Sequence, residues 1–257
     1  MRSTRIPAVV SLVGGLSSLA VALGGDWNDE VLRAVRAMPK GGGYSVSSEA
    51  GANFRAAVTA RSGELRVDAR GATPSYCSSA TYLVLTKVLA EAQREGRIRL
   101  GGDAVAEIAP SPQADGVGVW GRWNANGPGA ARLVDELGAG RNFTDFAAAR
   151  PGDFLKIFWR DAVGRSERGH LVVFLGMKDD GGVPVVRFWS SNKPGGYGEK
   201  SVKRSEIARA IFTRLEDAGK FAKVAGLPRE DGYLSKLLER ESSFVEACRM
   251  VGATERP

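Results

Sequence analysis

The apolar period changes along this chain, and that change limits the folds open to it. Early on, apolar residues recur at helical spacing, as with Val31, Leu32, Val35 and Met38 in a helix predicted over 27–38. From residue 154 the period is 2. Phe154-Leu155-Lys156-Ile157-Phe158-Trp159, His170-Leu171-Val172-Val173-Phe174-Leu175 and Val185-Val186-Arg187-Phe188-Trp189-Ser190 read as three strands in series, separated by polar, glycine-containing turns. Helices followed by a sequential antiparallel sheet is an α+β order; a doubly wound fold would alternate βαβ. With 257 residues, 43% of them hydrophobic, the chain can bury one generous core. One domain is expected over 23–257, with its core at 74–215 and helical elaborations at both ends.

Punctuation refines this order. Pro39-Lys40-Gly41-Gly42-Gly43 ends the first helix, and Ser47 or Ser48 caps a second that runs to residue 60. Residues 64–70 read as a short strand. Residues 101–127 are irregular, with Pro110, Pro112 and many glycines, and a helix follows over 128–137, with Pro128 suited to its first turn. A short helix near 204–209 precedes a fourth strand at 211–215, and helices at 217–225 and 233–251 close the chain.

The most apolar helix opens Ser75-Tyr76-Cys77-Ser78-Ser79-Ala80-Thr81-Tyr82-Leu83-Val84-Leu85 and runs to Gly96, with Ser75 as the expected N-cap. A cysteine on its first turn meets unpaired N–H groups at the positive end of the helix dipole, where a thiolate is favoured. The chain has a single histidine, His170, at the start of a strand. Period 2 puts His170, Val172 and Phe174 on one face, and Ser190 and Asn192 on one face of the next strand. Antiparallel pairing would bring Ser190 or Asn192 to His170, as an imidazole held in one tautomer requires. Two other readings of Cys77 stay open: a buried core thiol, or a disulfide with Cys248. One histidine and two cysteines do not make a zinc site, so neither a metal nor another cofactor is expected.

These residues carry a resemblance. A cysteine opening a helix, then Arg150-Pro151-Gly152-Asp153-Phe154, then Gly169-His170-Leu171-Val172-Val173-Phe174-Leu175-Gly176, resembles the papain-like cell-wall peptidases of the NlpC and CHAP type. Trp189-Ser190-Ser191-Asn192-Lys193-Pro194-Gly195-Gly196-Tyr197-Gly198 is similar to the CHAP pattern in which a Glu-x-Asn pair precedes a Tyr-Gly turn. The resemblance implies a papain-like fold and a hydrolase of amide bonds, with peptidoglycan peptides as substrate. It assigns Cys77 as nucleophile, His170 as base and Asn192 as the orienting group. The chain departs from the pattern twice: Ser190 stands where the family has Glu, and Ser75 and Tyr76 occupy the region of the glutamine often found before the cysteine. Without that glutamine, the Cys77 backbone N–H remains as an oxyanion donor. The alternative functions are a non-catalytic binding or structural protein on the same fold, or a disulfide-stabilised secreted domain. Tyr76, Trp120 and Trp123 are candidate substrate-binding residues, as a stacking wall or as core. Asp153 reads as a turn residue rather than a third catalytic acid.

Arg2 and Arg5 precede an apolar stretch that ends in Ala20-Val21-Ala22, the layout of a secretory signal peptide over 1–22. An exported protein with no stable membrane insertion after cleavage is expected. The formal charge of +7 favours anionic partners, but the cations are scattered and no nucleic-acid motif occurs among them. Gly116-x-Gly118-x-x-Gly121 follows no strand and is rejected as a dinucleotide fingerprint. Asn142-Phe143-Thr144 is a glycosylation sequon.

Overall fold

The change of period becomes two layers in the structure, a computed structural model that describes residues 26–253. The expected leader at 1–22 lies outside the described residues. The helices are α1 (Trp27–Arg36), α2 (Ser48–Ala57), α3 (Cys77–Arg94), α4 (Gly102–Ile108), α5 (Gly118–Asn124), α6 (Gly129–Leu137) and α7 (Phe244–Met250). The strands are β1 (Gly41–Gly42), β2 (Val58–Arg61), β3 (Glu64–Val67), β4 (Gly140–Phe143), β5 (Phe154–Phe158), β6 (Val163–Gly164), β7 (Gly169–Asp180), β8 (Val183–Asn192), β9 (Gly196–Lys203), β10 (Arg209–Leu215) and β11 (Glu241–Ser242). Seven of these strands form one antiparallel sheet in the order β1-β9-β8-β7-β5-β10-β4. Among the described residues no helix is long and apolar enough to cross a membrane.

The fold is α+β, but its sheet is only partly sequential. β10 pairs with both β5 and β4, so a late strand is inserted between two earlier ones. β4 has the sequence Gly-Arg-Asn-Phe, and β9 is mostly exposed and polar, so neither carries the apolar alternation that marks β5, β7 and β8. In those three strands both faces are buried, hence the nearly unbroken apolar runs. Phe154, Leu171 and Val173 face the helical layer, where Leu83, Val84 and Val88 of α3 meet Leu133 of α6. Leu155, Ile157, Val172, Phe174, Phe188 and Phe212 form a second cluster on the other side.

Local expectations are corrected in four places. The Ser47 hydroxyl caps α2 by accepting from the Ala50 N–H at 3.3 Å, but the helix ends at Ala57 because β-branched Val58 starts a hairpin with Val67. The 101–127 stretch contains α4 and α5, each only seven residues long and too short to show a period. Residues 218–226 form 3₁₀ rather than α turns. The closing helix is interrupted by β11, which pairs with β6, and restarts where the Ser243 hydroxyl caps α7. Asn142 is buried, and its side-chain amide donates to the carbonyls of Ala131 and Val251, so the folded chain does not present the sequon.

Asp153 has a structural role. Its fully buried carboxylate accepts two bonds from Arg214, at 2.8 and 2.7 Å, and one each from the Asn28 side chain and the Arg150 N–H. This knot fastens α1 to the sheet through β10 and the turn before β5. Removing one partner strands a buried charge. Asp153→Ala is therefore expected to lower unfolding free energy by roughly 3–5 kcal/mol. Urea denaturation measures this, and a loss of under about 1 kcal/mol would contradict the assigned role.

Candidate active site

Cys77 is the first residue of α3, as its sequence position implied. The N-cap, however, is Tyr76, whose backbone N–H donates to the Ser79 hydroxyl at 3.1 Å. Ser75 is not the cap because it is buried as a joint between layers. Its hydroxyl donates to that of Ser191 at 2.8 Å, and Ser191 donates to the Ser75 carbonyl at 3.0 Å. This joint sets the start of α3 against the end of β8.

β7 and β8 pair with Val173 opposite Trp189. Carried back along both strands, the same register puts His170 opposite Asn192, and the His170 Nε2 lies 3.1 Å from the Asn192 Oδ1. The amide's orientation follows from its other contacts. Its Nδ2 donates to the carbonyls of Gly198, at 2.9 Å, and Ser190, at 3.2 Å, so the oxygen must face the ring. Nε2 therefore carries a hydrogen, and Nδ1 is the nitrogen left for the thiol. The Ser190 side chain takes no part in orienting the ring. It is fully buried and its hydroxyl donates to the Leu171 carbonyl at 2.8 Å, which corrects the expectation that it shares this role.

Burial alone would raise the Cys77 thiol. A hydrogen bond with the His170 side chain, the charge of that imidazole, the Leu171 N–H and the charge of Lys156 together reverse this, and bring the thiol from 9.0 down to about 7. Cys77 has a free thiol. Cys248 lies buried on α7, packed with Phe158, Val163 and Val251 in a separate cluster, and is not its disulfide partner.

Cys77 lines a cleft of about 770 Å³ together with Tyr44, Tyr76, Ser78, Asp115, Trp123, Lys156 and Glu167, among others. Arg168 and Lys193 stand at its wall, as do two exposed apolar side chains: Val46 before α2 and Leu238 near the C-terminal end. The flanking segments thus shape the cleft. A smaller recess bordered by His170, Asn192, Trp159 and Lys200 shares Tyr44, Gly169 and Lys193 with it. The three aromatic candidates separate. Tyr76 lines the cleft, whereas Trp120 is core, packed on Phe54 at 4.4 Å and on Tyr82. Trp123 is in the cleft wall but 1% exposed, its indole N–H donating to Thr81, so it supports the wall rather than offering a stacking face.

Tyr44, Asp115, Lys156 and Glu167 were not singled out from the sequence. Tyr44 arrives on a glycine strap: β1 pairs with β9, the Tyr44 N–H donates to the Pro194 carbonyl, and the Ser75 N–H donates to the Gly43 carbonyl. Gly42 has φ +82°, and a Cβ there would strike the Thr73 side chain. The phenol of Tyr44 is pushed up to about 12 by burial, with Cys77 and Tyr76 adding to the effect. The available signal was a triple glycine followed by an aromatic. For Lys156 it was a cation between Phe154 and Phe158 on one face of an apolar strand. Asp115 accepts from Asn124 and from the Asn126 N–H, and the Asn124 oxygen accepts from Ser78, next to Cys77.

No protein-family model matches this chain, and neither a curated protein nor a solved structure does. Among the described residues no group of three His, Cys, Asp or Glu side chains is placed to hold a metal ion.

A thiol held at about 7 is ionised above that pH and protonated below it. The rate of Cys77 alkylation by iodoacetamide, followed by peptide mass spectrometry, should level off above pH 7 and fall about tenfold per pH unit well below it. His170→Ala should move the midpoint up by at least about one unit, because burial persists while its largest offset is gone. A wild-type midpoint near 9 would refute this reading of the site.

Proposed function

We propose that this protein is a cysteine hydrolase of amide bonds, with Cys77 as nucleophile, His170 as general base and acid, and Asn192 as the group that orients the ring. The observation that carries the proposal is the fixed amide of Asn192. Two carbonyls force its oxygen towards His170, which reserves Nδ1 for the thiol at the start of α3. That is the Cys–His–Asn arrangement of papain-like enzymes, and it removes the need for the carboxylate that Ser190 lacks.

The chemistry follows from the geometry. The Cys77 thiol gives its proton to Nδ1 of His170, and the sulfur attacks the carbonyl carbon of the substrate as the carbonyl electron pair moves onto oxygen. First-turn N–H groups of α3, which the helix cannot satisfy, are the backbone donors to that oxyanion. The protonated Tyr44 phenol is the side-chain donor that the glycine strap brings to the cleft. As the C–N bond breaks, Nδ1–H of His170 gives its proton to the departing nitrogen, leaving a thioester on Cys77. Water then attacks the thioester, Nδ1 takes its proton, and the acid product leaves with the thiolate restored.

Peptidoglycan peptides are the proposed substrate class. The motif order around Cys77, Asp153, His170 and Asn192 supports this, as does the leader-like N-terminus, which also supports export. The α+β layering, with the cysteine at a helix start and the histidine at a strand start, supports a papain-like fold.

Incubation with purified peptidoglycan should release new amino groups. Cys77→Ala and His170→Ala should each lower that rate by roughly 10³-fold or more. Equal release by all three proteins would sink the proposal. Asn192→Asp offers a sharper test, since a carboxylate there would face the carbonyls of Ser190 and Gly198. It should lose roughly tenfold or more in kcat rather than improve on the amide, whereas a gain would show that the orienting argument is wrong.

A further inference from the structure

Lys156 is the polar residue on a face of β5 that is otherwise Phe154 and Phe158. Its side chain is 13% exposed and paired with Glu167, which is 2% exposed. Burying this pair in a strand costs desolvation that a methionine would avoid. Glu167 is anchored independently, because its other carboxylate oxygen accepts from the N–H groups of Gly127, at 2.6 Å, and Gly164, at 3.3 Å. Lys156 also sits across the ladder from Leu171, the residue whose backbone N–H addresses the Cys77 sulfur. Cys77, Lys156, Glu167 and Leu171 line the same cleft.

We propose that Lys156 is a positioning residue for the nucleophile: its ammonium, held at the cleft wall by Glu167, stabilises the negative charge on Cys77 and adds to the effect of His170. The proposal rests on the reading of Cys77 as a thiolate nucleophile. The charged and titratable groups around the sulfur come from every element that meets there. His170 on β7 and Lys156 on β5 favour the thiolate. Asp115, before α5, and Glu167, before β7, oppose it. Arg168 and Lys193 stand at the cleft wall, and the phenols of Tyr44 and Tyr76 stay neutral, both pushed up to about 12. Lys156 is thus the cation that offsets two carboxylates in the same wall, and Glu167 keeps it there while limiting its effect.

The pair has a testable asymmetry. A merely structural ion pair, broken from either side, would disturb the cleft in the same sense. An electrostatic role predicts opposite signs. The experiment is the pH dependence of Cys77 alkylation by iodoacetamide on the full protein, mapped by mass spectrometry, with circular dichroism to confirm folding. Lys156→Met should raise the midpoint by roughly half to one pH unit, slowing alkylation about three- to eightfold at pH 6.5. Lys156→Arg should restore the wild-type midpoint, and Glu167→Gln should lower it. A folded Lys156→Met with an unchanged midpoint overturns the proposal, as do shifts of the same sign in both variants. If Lys156→Met does not fold, Glu167→Gln decides alone: a lower midpoint supports the role, and an equal or higher one refutes it. A wild-type midpoint near 9 would instead defeat the nucleophile reading on which this rests, so the two failures are distinguishable.

Discussion

Everything in the candidate site depends on how the start of α3 is seated on the β8 end of the sheet. The buried hydroxyls of Ser75 and Ser191 make that joint, two residues from Cys77 on one side and one residue from Asn192 on the other. The same point receives the glycine strap, since the Ser45 N–H donates to the Ser75 carbonyl and the Ser75 N–H to that of Gly43. A third tie is the Tyr197 hydroxyl, which donates to the Ala72 carbonyl at 2.6 Å. Helix, strap and hairpin are thus positioned by short buried hydrogen bonds, whose partners are costly to leave unpaired. Cys77 lies two residues and Asn192 one residue from that joint, and His170 is bonded to Asn192.

The absence of a carboxylate beside His170 is compatible with this architecture. A carboxylate at position 192 would need donors, but the hairpin offers two carbonyls there. An amide meets both demands at once, giving hydrogens to the hairpin and an oxygen to the ring. Ser190 is free of any acid role because it lies two positions earlier, buried, with its hydroxyl spent on the β7 backbone. Ser190 and Asn192 thus take different partners, the first bonded to the β7 backbone and the second to the hairpin and the ring.

What could be read from the sequence is what short segments encode. Cys77 at a helix start follows from an apolar run with a preceding turn, and the approach of Ser190 or Asn192 to His170 follows from period 2 and antiparallel pairing, with the register deciding for Asn192. The α+β order follows from the change of period. The insertion of β10 between β5 and β4 was hidden because β4 is four residues long and lacks alternation. Tyr44 was hidden because Gly41, Gly42 and Gly43 look like a helix terminator until a partner strand turns them into a strap. Lys156 stands between Phe154 and Phe158 on one face, but the meaning of a cation there depends on Leu171 lying opposite and on the sulfur beside that residue. Ser75 shows the reverse error: a residue type suited to capping is used instead as a buried joint, and Tyr76 occupies the cap.

Helix ends sharpen the electrostatic argument. α1 and α2 follow ordinary rules, with side-chain caps from Asp26 and Ser47 and acidic residues in their first turns. α3, the longest helix among the described residues, has no acidic residue in its first turn, and its cap residue is a tyrosine with no short polar group to offer. The negative charge that would complement its dipole is therefore not supplied by a carboxylate. The thiolate of Cys77 is the one acidic group in that turn which can supply it, and the imidazole, the Leu171 N–H and the Lys156 ammonium all act in the same direction. Burial opposes them, and a thiol brought from 9.0 to about 7 is the net result. Under the proposed function, a nucleophile that must be ionised near neutral pH requires such compensation once it is withdrawn from water.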